Sequence, residues 1–437
     1  MTLRFLAALL LSGVLFAAEN LKPLSIIHTN DLHARLLPMD DGRGGFAYLA
    51  TAIRKEKEGC GHCLVLNCGD LVQGTPVSSV YKGIPIFEIA NRLGFDAATL
   101  GNHEFDYGWE VTRKYIQIAR YPIVSANLVD GEGKLLLDKP YVVLTAGGLR
   151  VAVVGAMTTE LYRVLLPSVL GKIRATPVSD AVKRYLPEMR AKSDVVVLLG
   201  HLSPEDEEDV RKNLQDVQVL IGGHIHVGLK ELSHAGQQWQ ARVQANSVEI
   251  GRLDLQIDPA RKRVVSAAWK KIPVTSTAQE PAPDVAKHVA EWEAKVTAMM
   301  DVPIGEAKRT LQKADLKRMI ERALREQMGA DFAFMGFGGI RDVLPQGTIL
   351  VRHIWNIFPF DNVVVMGKFS GARLPPTVTQ GQPVDPHKEY TLATNEFAAA
   401  NQSSPRELNT SGLDFPIVGP LQRDLLIEWV KKVKVVE

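Results

Sequence analysis

The sequence lacks several features that would assign it to a specialised class of protein. Lysine plus arginine, at 51, nearly balance aspartate plus glutamate, at 49, so the formal net charge is only +2. A strongly basic protein that coats nucleic acid is therefore not indicated, and neither is a chain with an acidic tail. There is no low-complexity tract, and the composition is that of a globular protein. With 437 residues, the chain is long enough for two domains with sizeable cores.

Cysteine is also scarce, with three in the whole chain. So few cysteines argue against a fold that relies on a disulfide framework. Cys60 and Cys63 form the sequence CGHC, and redox enzymes use the same spacing. In those enzymes the pair opens a helix, whose N-terminus lowers the thiol pKa, whereas here a strand-like LVLN follows. We therefore predict a local disulfide between Cys60 and Cys63 and a free, buried Cys68.

Long apolar runs are missing after the N-terminus, where no segment approaches 18 uninterrupted apolar residues. The chain starts with MTLRFLAALLLSGVLFAAEN, which has one early cation at Arg4, a short apolar run and then small residues. This layout is typical of a secretory signal, and a buried N-terminal helix is the alternative. We predict a signal peptide over residues 1–18 and an exported protein, periplasmic or secreted, without a stable membrane anchor.

Short apolar runs alternate with amphipathic helical stretches up to about residue 265. The runs are LSIIHT, LVLN, AATL, VVVLLG and VQVLIGG, and helix-like stretches include FAYLATAIRKEKEG and VSDAVKRYLPEMRAK. This alternation predicts a layered α/β domain over residues 21–270.

The character of the sequence changes after this domain. PVTSTAQEPAPD is typical of a linker, and apolar residues at helical spacing follow it, so we predict a linker and linker helix over residues 271–302. A second domain is predicted over residues 303–437. It contains an amphipathic helix, DLKRMIERALREQMG, for which we predict an N-cap at Asp315 and a stop at Gly329.

The apolar runs of the first domain share one property: potential metal ligands follow them closely. These residues are Asp31, His33, Asp70, Asn102, His201, His224 and His226. Ordinary solvated turns are the alternative interpretation, but five such clusters at strand ends in one domain would rarely arise by chance. Since ligands gather where the loops at strand ends converge, we expect a shared site.

The types of these side chains indicate which ions they would bind. Carboxylates, an amide oxygen and imidazoles fit borderline divalent cations such as Zn²⁺, Mn²⁺, Co²⁺ or Fe²⁺. The number of imidazoles disfavours Mg²⁺ and Ca²⁺. Seven ligands are too many for one tetrahedral site. They suit two transition-metal ions that share one carboxylate and can clamp both oxygens of a displacement at phosphorus.

Several motifs together resemble one known family. NDLH, GD, GNHEFDYG, GHLS and GGHIH, in this order, resemble the calcineurin-type metallophosphoesterases, and specifically the secreted 5′-nucleotidase family. GADFAFMGFGGIRDVLPQGTI, FPFDNVVV and YTLATNEF resemble the C-terminal, substrate-binding domain of that family. The resemblance implies a four-layer αββα catalytic domain followed by a smaller α/β domain.

The resemblance also implies roles for individual residues. One metal ion would be held by Asp31, His33, Asp70 and His226, and the second by Asp70, Asn102, His201 and His224. His103 would face the phosphoryl group, and Asp106 would orient its ring and keep it protonated. We interpret Glu104 as structural. In the second domain, Phe360 and Phe397 would stack on the nucleobase, Arg341 would bind phosphate or carboxylate, and Asn362 would contact the base.

The chain departs from the family pattern around the substrate pocket. The family follows TNxF with a Gly-Gly-Asp-Gly loop whose aspartate contacts the ribose, whereas this chain has AAANQSSPRELN. Only Asn401, Gln402 or Ser403 could substitute there. The C-terminal domain is also shortened between Gly371 and Tyr390. We expect a pocket with fewer walls to select its substrate less strictly.

The sequence therefore predicts an exported dimetal phosphoesterase with a small-molecule nucleotide substrate and no nucleic-acid partner. It would hydrolyse 5′-nucleotides or related nucleotide phosphate esters to nucleoside and phosphate, by in-line attack of a metal-bound water. One alternative is a related dimetal hydrolase of a 2′,3′-cyclic nucleotide, a nucleotide sugar or a thiosulfohydrolase-type ester. Another is a non-catalytic nucleotide-binding protein.

Overall fold

The computed structural model describes residues 20–400, 408, 410 and 412–437. The predicted signal peptide, residues 1–18, lies outside the described residues, as do Asn401, Gln402 and Ser403. Within the described residues, no helix is both long and apolar enough to cross a membrane.

The first part of the chain alternates strands and helices, as its apolar pattern predicts. Its elements are β1 (Lys22–Thr29), α1 (Phe46–Lys57), β2 (Cys63–Cys68), α2 (Pro76–Val80), α3 (Ile84–Ala90), β3 (Ala97–Thr99), α4 (Trp109–Ile118), β4 (Leu128–Val129), β5 (Tyr141–Ala146), β6 (Leu149–Met157), α5 (Leu161–Val164), α6 (Pro167–Leu170), β7 (Arg174–Ala175), α7 (Val178–Lys192), β8 (Val195–His201), α8 (Pro204–Asn213), β9 (Val219–Gly223), β10 (Ser233–Ala235), β11 (Gln238–Ala241), β12 (Glu249–Asp258) and β13 (Arg263–Pro273). A 3-10 turn, Asn102–Phe105, follows β3.

Two sheets form the centre of this domain. The first has the order β13-β12-β1-β2-β3, and in it β1, β2 and β3 run parallel. The second has the order β10-β11-β9-β8-β6-β5, and in it β6, β8 and β9 run parallel. Strand β2 is buried along its whole length, as expected for a parallel strand covered on both faces.

Apolar side chains fill three layers in this domain. Leu24 and Ile26 of the first sheet share one core with Val153 and Val197 of the second. Helices α1, α3 and α9 (Pro283–Met300) cover the outer face of the first sheet, and α7 and α8 cover that of the second. The predicted four-layer αββα arrangement is confirmed.

The second part of the chain forms a smaller α/β unit. After α9 its elements are β14 (Pro303–Ala307), α10 (Lys313–Met328), β15 (Phe332–Ala333), β16 (Gly347–Leu350), α11 (Val351–Ile357), β17 (Val363–Ser370), α12 (Pro376–Thr379), β18 (Glu389–Asn395), α13 (Glu396–Ala399), β19 (Ile417–Leu421), α14 (Gln422–Val433) and β20 (Val435–Val436). Its two sheets have the orders β16-β14-β20 and β15-β18-β17-β19.

Helix α9, predicted as a linker helix, packs on the first domain. Val285, Val289 and Val296 are buried in the same cluster as α1. Strand β13 continues to Pro273, three residues beyond the predicted end of the catalytic domain at residue 270. The domain boundaries themselves stay predictions.

The start of α10 differs from our prediction. The helix begins at Lys313 with Gln312 as its N-cap, so the predicted N-cap at Asp315 is wrong. Asp315 lies in the first turn instead, where its carboxylate accepts a hydrogen bond of 3.1 Å from the backbone N–H of Gln312. An aspartate can accept a hydrogen bond from a free backbone N–H from within the first turn as well as from the N-cap position. The same residue type therefore marks two possible helix starts about one turn apart. The predicted stop at Gly329 is confirmed, since this residue has φ 63°.

The predicted cysteine arrangement is confirmed. Cys60, in the connection between α1 and β2, and Cys63, the first residue of β2, form a disulfide with their Cα atoms 5.6 Å apart. Cys68, at the end of β2, is free and buried. The disulfide does not open a helix, in agreement with a structural rather than a redox role.

Candidate metal centre

The seven candidate ligands lie at the carboxyl ends of parallel strands in both sheets. Asp31 and His33 follow β1, Asp70 follows β2, Asn102 follows β3, His201 ends β8, and His224 and His226 follow β9. Because the two sheets pack face to face, these strand ends meet at one edge of the sandwich. The structure therefore brings together every residue that the strand-end pattern predicted as a ligand.

Five of these residues have an unusual backbone conformation. The φ angles of Asp31, His33, Asp70, His224 and His226 are 50°, 47°, 52°, 76° and 64°. Aspartate, asparagine and histidine are the side chains that tolerate this left-handed region best. Such conformations persist only where neighbours hold them, and they are concentrated at ligand-binding sites. Here the N–H groups of Asp31 and His33 bond the carbonyls of Gly69 and Asp70, both at 3.0 Å.

The first group of side chains comprises Asp31, His33, Asp70 and His226. One ligand atom from each lies within 4.8 Å of those of the other three. Nε2 of His226 is 2.9 Å from Nε2 of His33 and 3.6 Å from Oδ1 of Asp31. Two carboxylates and two imidazoles thus direct their donor atoms to one point.

The second group comprises Asp70, Asn102, His201 and His224. Nε2 of His201 is 3.2 Å from both Oδ2 of Asp70 and Oδ1 of Asn102. Nδ1 of His224 is 2.9 Å from the same amide oxygen. Asp70 belongs to both groups, which is the position expected of a carboxylate shared between two ions.

Neighbouring groups fix the orientation of these ligands. Asn30 donates a hydrogen bond of 2.7 Å to Oδ2 of Asp31, and the backbone N–H of His224 donates to the same carboxylate. The Nδ1–H of His201 donates to the carbonyl of Cys68 at 2.8 Å, so that its Nε2 faces the site. Partners of this kind set the tautomer and the ring direction of a metal-binding histidine.

Burial and charge set the protonation of the site. Burial raises the pKa of Asp31 to about 6, and the neighbouring Asp70 adds to this shift. Burial, and then the nearby His201, lower the pKa of His224 to about 3, and the pKa values of His33 and His226 also lie well below normal. Burial alone would lower the pKa of His201, but Asp70 outweighs it and raises the value to about 9.

The donor set fits divalent metal ions. Asp31 and Asp70 are completely buried, and two buried carboxylates at this separation repel each other without a counter-charge. His33, His224 and His226 favour the neutral form, which is the form that binds metal. Oδ2 of Asp70 is a buried oxygen that accepts no hydrogen bond from the described residues. Cations placed between the two groups would satisfy all of these atoms.

His103 and Asp106 lie beside this centre, as the resemblance implies. Nδ1 of His103 is 2.9 Å from Oδ2 of Asp106, and both side chains are largely buried. Burial alone would lower the pKa of His103, but the carboxylates of Asp106 and Asp70 outweigh it and raise the pKa above its usual value. The ring therefore favours the protonated form, in which it can donate to an anionic oxygen.

Glu104 does not face the metal centre. Its carboxylate accepts backbone N–H bonds from Asp70 at 3.0 Å, Leu71 at 2.8 Å and Gly101 at 2.5 Å. It thereby joins the loop after β2 to the loop after β3. This position agrees with the structural role that we predicted.

The C-terminal domain reaches into the same site. Nη2 of Arg341 is 3.1 Å from Nε2 of His33, and the ring of Phe360 stacks on that of His103 with centroids 5.7 Å apart. Phe360, Asn362 and Phe397 line one cavity of about 570 Å³ together with His103 and Arg341. All four residues predicted to contact the substrate therefore line the same cavity as the candidate catalytic pair.

Several residues in this cavity were not predicted from the sequence. One wall is formed by Arg163, Leu165, Leu166 and Val169, which belong to α5, α6 and the residues between them. Gln73 and Met335 also line the cavity. The four residues of the wall offer no metal ligand, so the pattern of ligands at strand ends does not include them. The only signal for the wall was its place after β6, another parallel strand that ends at this edge.

Comparison with known families gives two matches that follow each other along the chain. Residues 24–228 match the family described as calcineurin-like phosphoesterase. Residues 294–379 match the family described as 5′-nucleotidase, C-terminal domain. The first match includes all seven candidate ligands, and the second includes Arg341, Phe360 and Asn362.

Relatives with similar sequences cover most of the chain. Protein UshA of Escherichia coli (strain K12) is 25% identical over 504 residues, which cover 94% of this chain and 91% of that protein. A 5′-nucleotidase of Vibrio vulnificus (strain CMCP6) is 26% identical over 447 residues, covering 88% and 81%. The similarity thus extends over both domains.

Solved structures with the same fold include two from Thermus thermophilus. A 5′-nucleotidase precursor from this organism has a TM-score of 0.82 at 23% identity, covering 95% of this chain and 97% of that one. The sulfate thiohydrolase SoxB also has a TM-score of 0.82, at 17% identity, covering 94% of each chain. Because the two scores are equal, the fold alone does not distinguish between the esters that these proteins are named for.

Proposed function

Because the chain belongs to the 5′-nucleotidase family of calcineurin-like phosphoesterases, we propose that it is an exported hydrolase that releases phosphate from 5′-nucleotides or related nucleotide esters. It is a metal-dependent phosphoric ester hydrolase, and we infer a centre of two metal ions. The observation that carries the proposal is the position of Arg341 beside the candidate ligand His33 and of Phe360 beside His103. The proposal of export rests on residues 1–18 of the sequence.

The seven strand-end residues are the proposed metal ligands. Asp31, His33, Asp70 and His226 would hold one divalent transition-metal ion, and Asp70, Asn102, His201 and His224 would hold the second. Zn, Mn, Co and Fe all suit this mixture of carboxylate, amide and imidazole donors. Two such ions, when bound, supply positive charge for the phosphoryl oxygens and a water that ionises near neutral pH.

The remaining residues act on the phosphate itself. His103 would donate a hydrogen bond from its protonated ring to a phosphoryl oxygen, where negative charge increases in the transition state. Asp106 holds Nδ1 of that ring at 2.9 Å, so that Nε2 can face the substrate. The guanidinium of Arg341 can donate two parallel hydrogen bonds to a phosphate.

The aromatic residues would bind the nucleoside. Phe360 and Phe397 line the cavity and can pack against a base, and Asn362 can bond its polar edge. Stacking of this kind tolerates different bases and is worth about 1–3 kcal/mol per base. We therefore expect activity on several 5′-nucleotides rather than on one.

Metal analysis and a phosphate-release screen test this function. Protein purified without chelator should contain transition metal and should release phosphate from 5′-nucleotides after addition of Mn²⁺ or Zn²⁺. The panel should include 2′,3′-cyclic nucleotides, nucleotide sugars and a thiosulfonate ester. Preference for one of those would identify a related dimetal hydrolase instead. Metal-free protein without activity on any ester, or nucleotide that binds tightly and is recovered unchanged, would overturn the enzymatic proposal.

The variant His103→Ala tests the role of the catalytic pair. Loss of a positioned proton donor should lower kcat by about 10²–10⁴-fold. The metal content should stay the same, because His103 is not one of the proposed ligands. His234→Ala is a matched control, since His234 lies exposed on β10. Loss of metal from His103→Ala would mean that His103 is itself a ligand.

A further inference from the structure

Gln73 is a buried polar residue for which the proposed mechanism has no use. It follows Asp70 by three residues, and only 3% of its surface is exposed. Its φ angle is 66°, in the left-handed region that a glutamine seldom adopts. A residue held in such a conformation at the edge of an active site is a candidate for a functional role.

The side chain of Gln73 bonds the carboxylate that holds His103. Nε2 of Gln73 donates to Oδ2 of Asp106 at 2.8 Å, and Nδ1 of His103 is 2.9 Å from the same oxygen. The backbone N–H of Gln73 is in turn bonded to Oγ of Ser78 at 3.0 Å. The amide is therefore fixed at its backbone and directed at one oxygen of the catalytic pair.

We propose that Gln73 is a positioning residue that holds Asp106, and through it His103, in the orientation required for phosphoryl transfer. The terminal torsion of an aspartate is broad, and a single hydrogen bond from His103 to Oδ2 restrains it less than two donors to that oxygen do. The amide of Gln73 is this second donor and further restrains the carboxylate. This inference rests on the proposed function, because it assigns Gln73 a part in the same reaction.

A structural role is the competing explanation, and the two make different predictions. If Gln73 only fills space or satisfies a buried group, its loss should affect unfolding and metal content, independently of Asp106. If it positions the pair, its loss should act on the chemical step, and only while Asp106 is present. Removing one of two groups that act as a unit has effects that do not add.

The variant Gln73→Met keeps an unbranched side chain of similar size and removes the amide donor. We expect kcat to fall by about 10–100-fold, as is typical when a residue that orients a functional group is lost. KM, metal content and the unfolding midpoint should change little. The exposed Gln237, in the turn between β10 and β11, provides the matched control Gln237→Met, which should keep full activity.

A double-mutant cycle separates positioning from structure. In the background of Asp106→Ala, the change Gln73→Met should cause no further loss of kcat. An additive loss would overturn the proposal, and so would an unchanged kcat in the single variant. If Gln73→Met does not fold, Gln73→Asn keeps the amide one methylene short of Asp106 and should show the same fall in kcat. If both variants lose metal or fail to fold, Gln73 is structural and the proposal is wrong.

The variant His103→Ala distinguishes failure of this inference from failure of the proposed function. If His103→Ala loses activity while Gln73→Met retains it, only the role of Gln73 is wrong. If His103→Ala itself retains full kcat, the catalytic pair has been assigned wrongly and the inference fails with it.

Discussion

Gly101, in the loop after β3, lies against Asp70. A Cβ atom built on Gly101 would lie 2.1 Å from Oδ1 of Asp70 and 2.4 Å from its backbone nitrogen. Real side chains do not approach so closely, so any larger residue must displace the carboxylate that both groups of candidate ligands share. The need for glycine here is one of space, because φ at Gly101 is −103° and is open to any residue.

We therefore predict that Gly101→Ala weakens both the fold and the metal centre. Overpacking of this kind costs about 1–3 kcal/mol of unfolding free energy. Denaturant unfolding and metal analysis of the purified variant would measure the two effects. Gly61→Ala is the matched control, since no atom lies within 4 Å of a Cβ built there. Full stability and metal content in Gly101→Ala would contradict the prediction.

Among single residues, the candidate metal ligands could be predicted from the sequence, but the contact between Gln73 and Asp106 could not. Asp31, Asp70 and His201 are recognisable because metal-binding side chains follow apolar strand-like runs, and strand ends converge in a layered α/β fold. The contact from Gln73 to Asp106 joins residues 33 positions apart and depends on a left-handed turn. Neither composition nor periodicity contains that information.

The 3-10 turn Asn102–Phe105 is stabilised by one of its own side chains. The carboxylate of Glu104 accepts backbone N–H bonds from Asp70, Leu71 and Gly101. The turn carries Asn102 and His103, so the same side chain holds together a candidate ligand, a candidate catalytic residue and the loop after β2. These N–H groups lie beyond the ends of the strands and have no partner strand. The carboxylate of Glu104 supplies the acceptor that each of them needs.

For this turn we predict that Glu104→Gln is destabilising although it is isosteric. One of the two acceptor oxygens becomes an NH₂ group that faces backbone N–H donors, and an unsatisfied buried donor costs about 1–3 kcal/mol. The midpoint of urea unfolding should fall, and the affinity for added Mn²⁺ should fall with it. Glu110→Gln, on the exposed part of α4, is the control. A variant as stable as the unmodified protein would show that Glu104 does not join the loops.

Regular elements were predicted well where they are long and apolar. Strands β1, β2 and β8 and helices α1 and α7 all lie where the apolar pattern indicates them. The start of α10 was misjudged because Asp315 acts from inside the first turn. That α9 would pack on α1 could not be predicted either. Its apolar stripe indicates a buried face without identifying the partner.

Contacts between the two domains surround the candidate site. Arg35, two residues after His33, forms an ion pair of 3.1 Å with Asp342, and both side chains are mostly buried. Ser79 donates a hydrogen bond of 2.9 Å to the carbonyl of Pro359. The pair of Arg35 and Asp342 joins positions 307 residues apart, so no local pattern in the sequence could have predicted it. It holds the segment that carries Arg341 against the loop that carries His33.

We predict that Asp342→Ala loosens the docking of the C-terminal domain. Removing one partner leaves Arg35 without its charge partner, which costs about 3–5 kcal/mol in a fully buried ion pair and less here, because the side chain of Asp342 is 21% exposed. kcat/KM for a 5′-nucleotide should fall several-fold while metal content is unchanged, and small-angle scattering should show a larger radius of gyration. Asp41→Ala, which breaks the exposed pair with Arg43, is the control and should have little effect. An unchanged radius and kcat/KM would mean that the pair does not stabilise docking.

The left-handed backbone at Asp31, His33, Asp70, His224 and His226 limits how this centre can diversify. In a saturation library at these positions, a functional replacement must meet two requirements. Its side chain must coordinate a cation, and its backbone must tolerate a positive φ angle. Asp, Asn and His meet both requirements. Cys and Glu can coordinate metals but adopt positive φ angles less readily. Evolution toward another metal is therefore confined to a small set of replacements, and changes in substrate range have more freedom in the cavity wall around Leu165 and Val169.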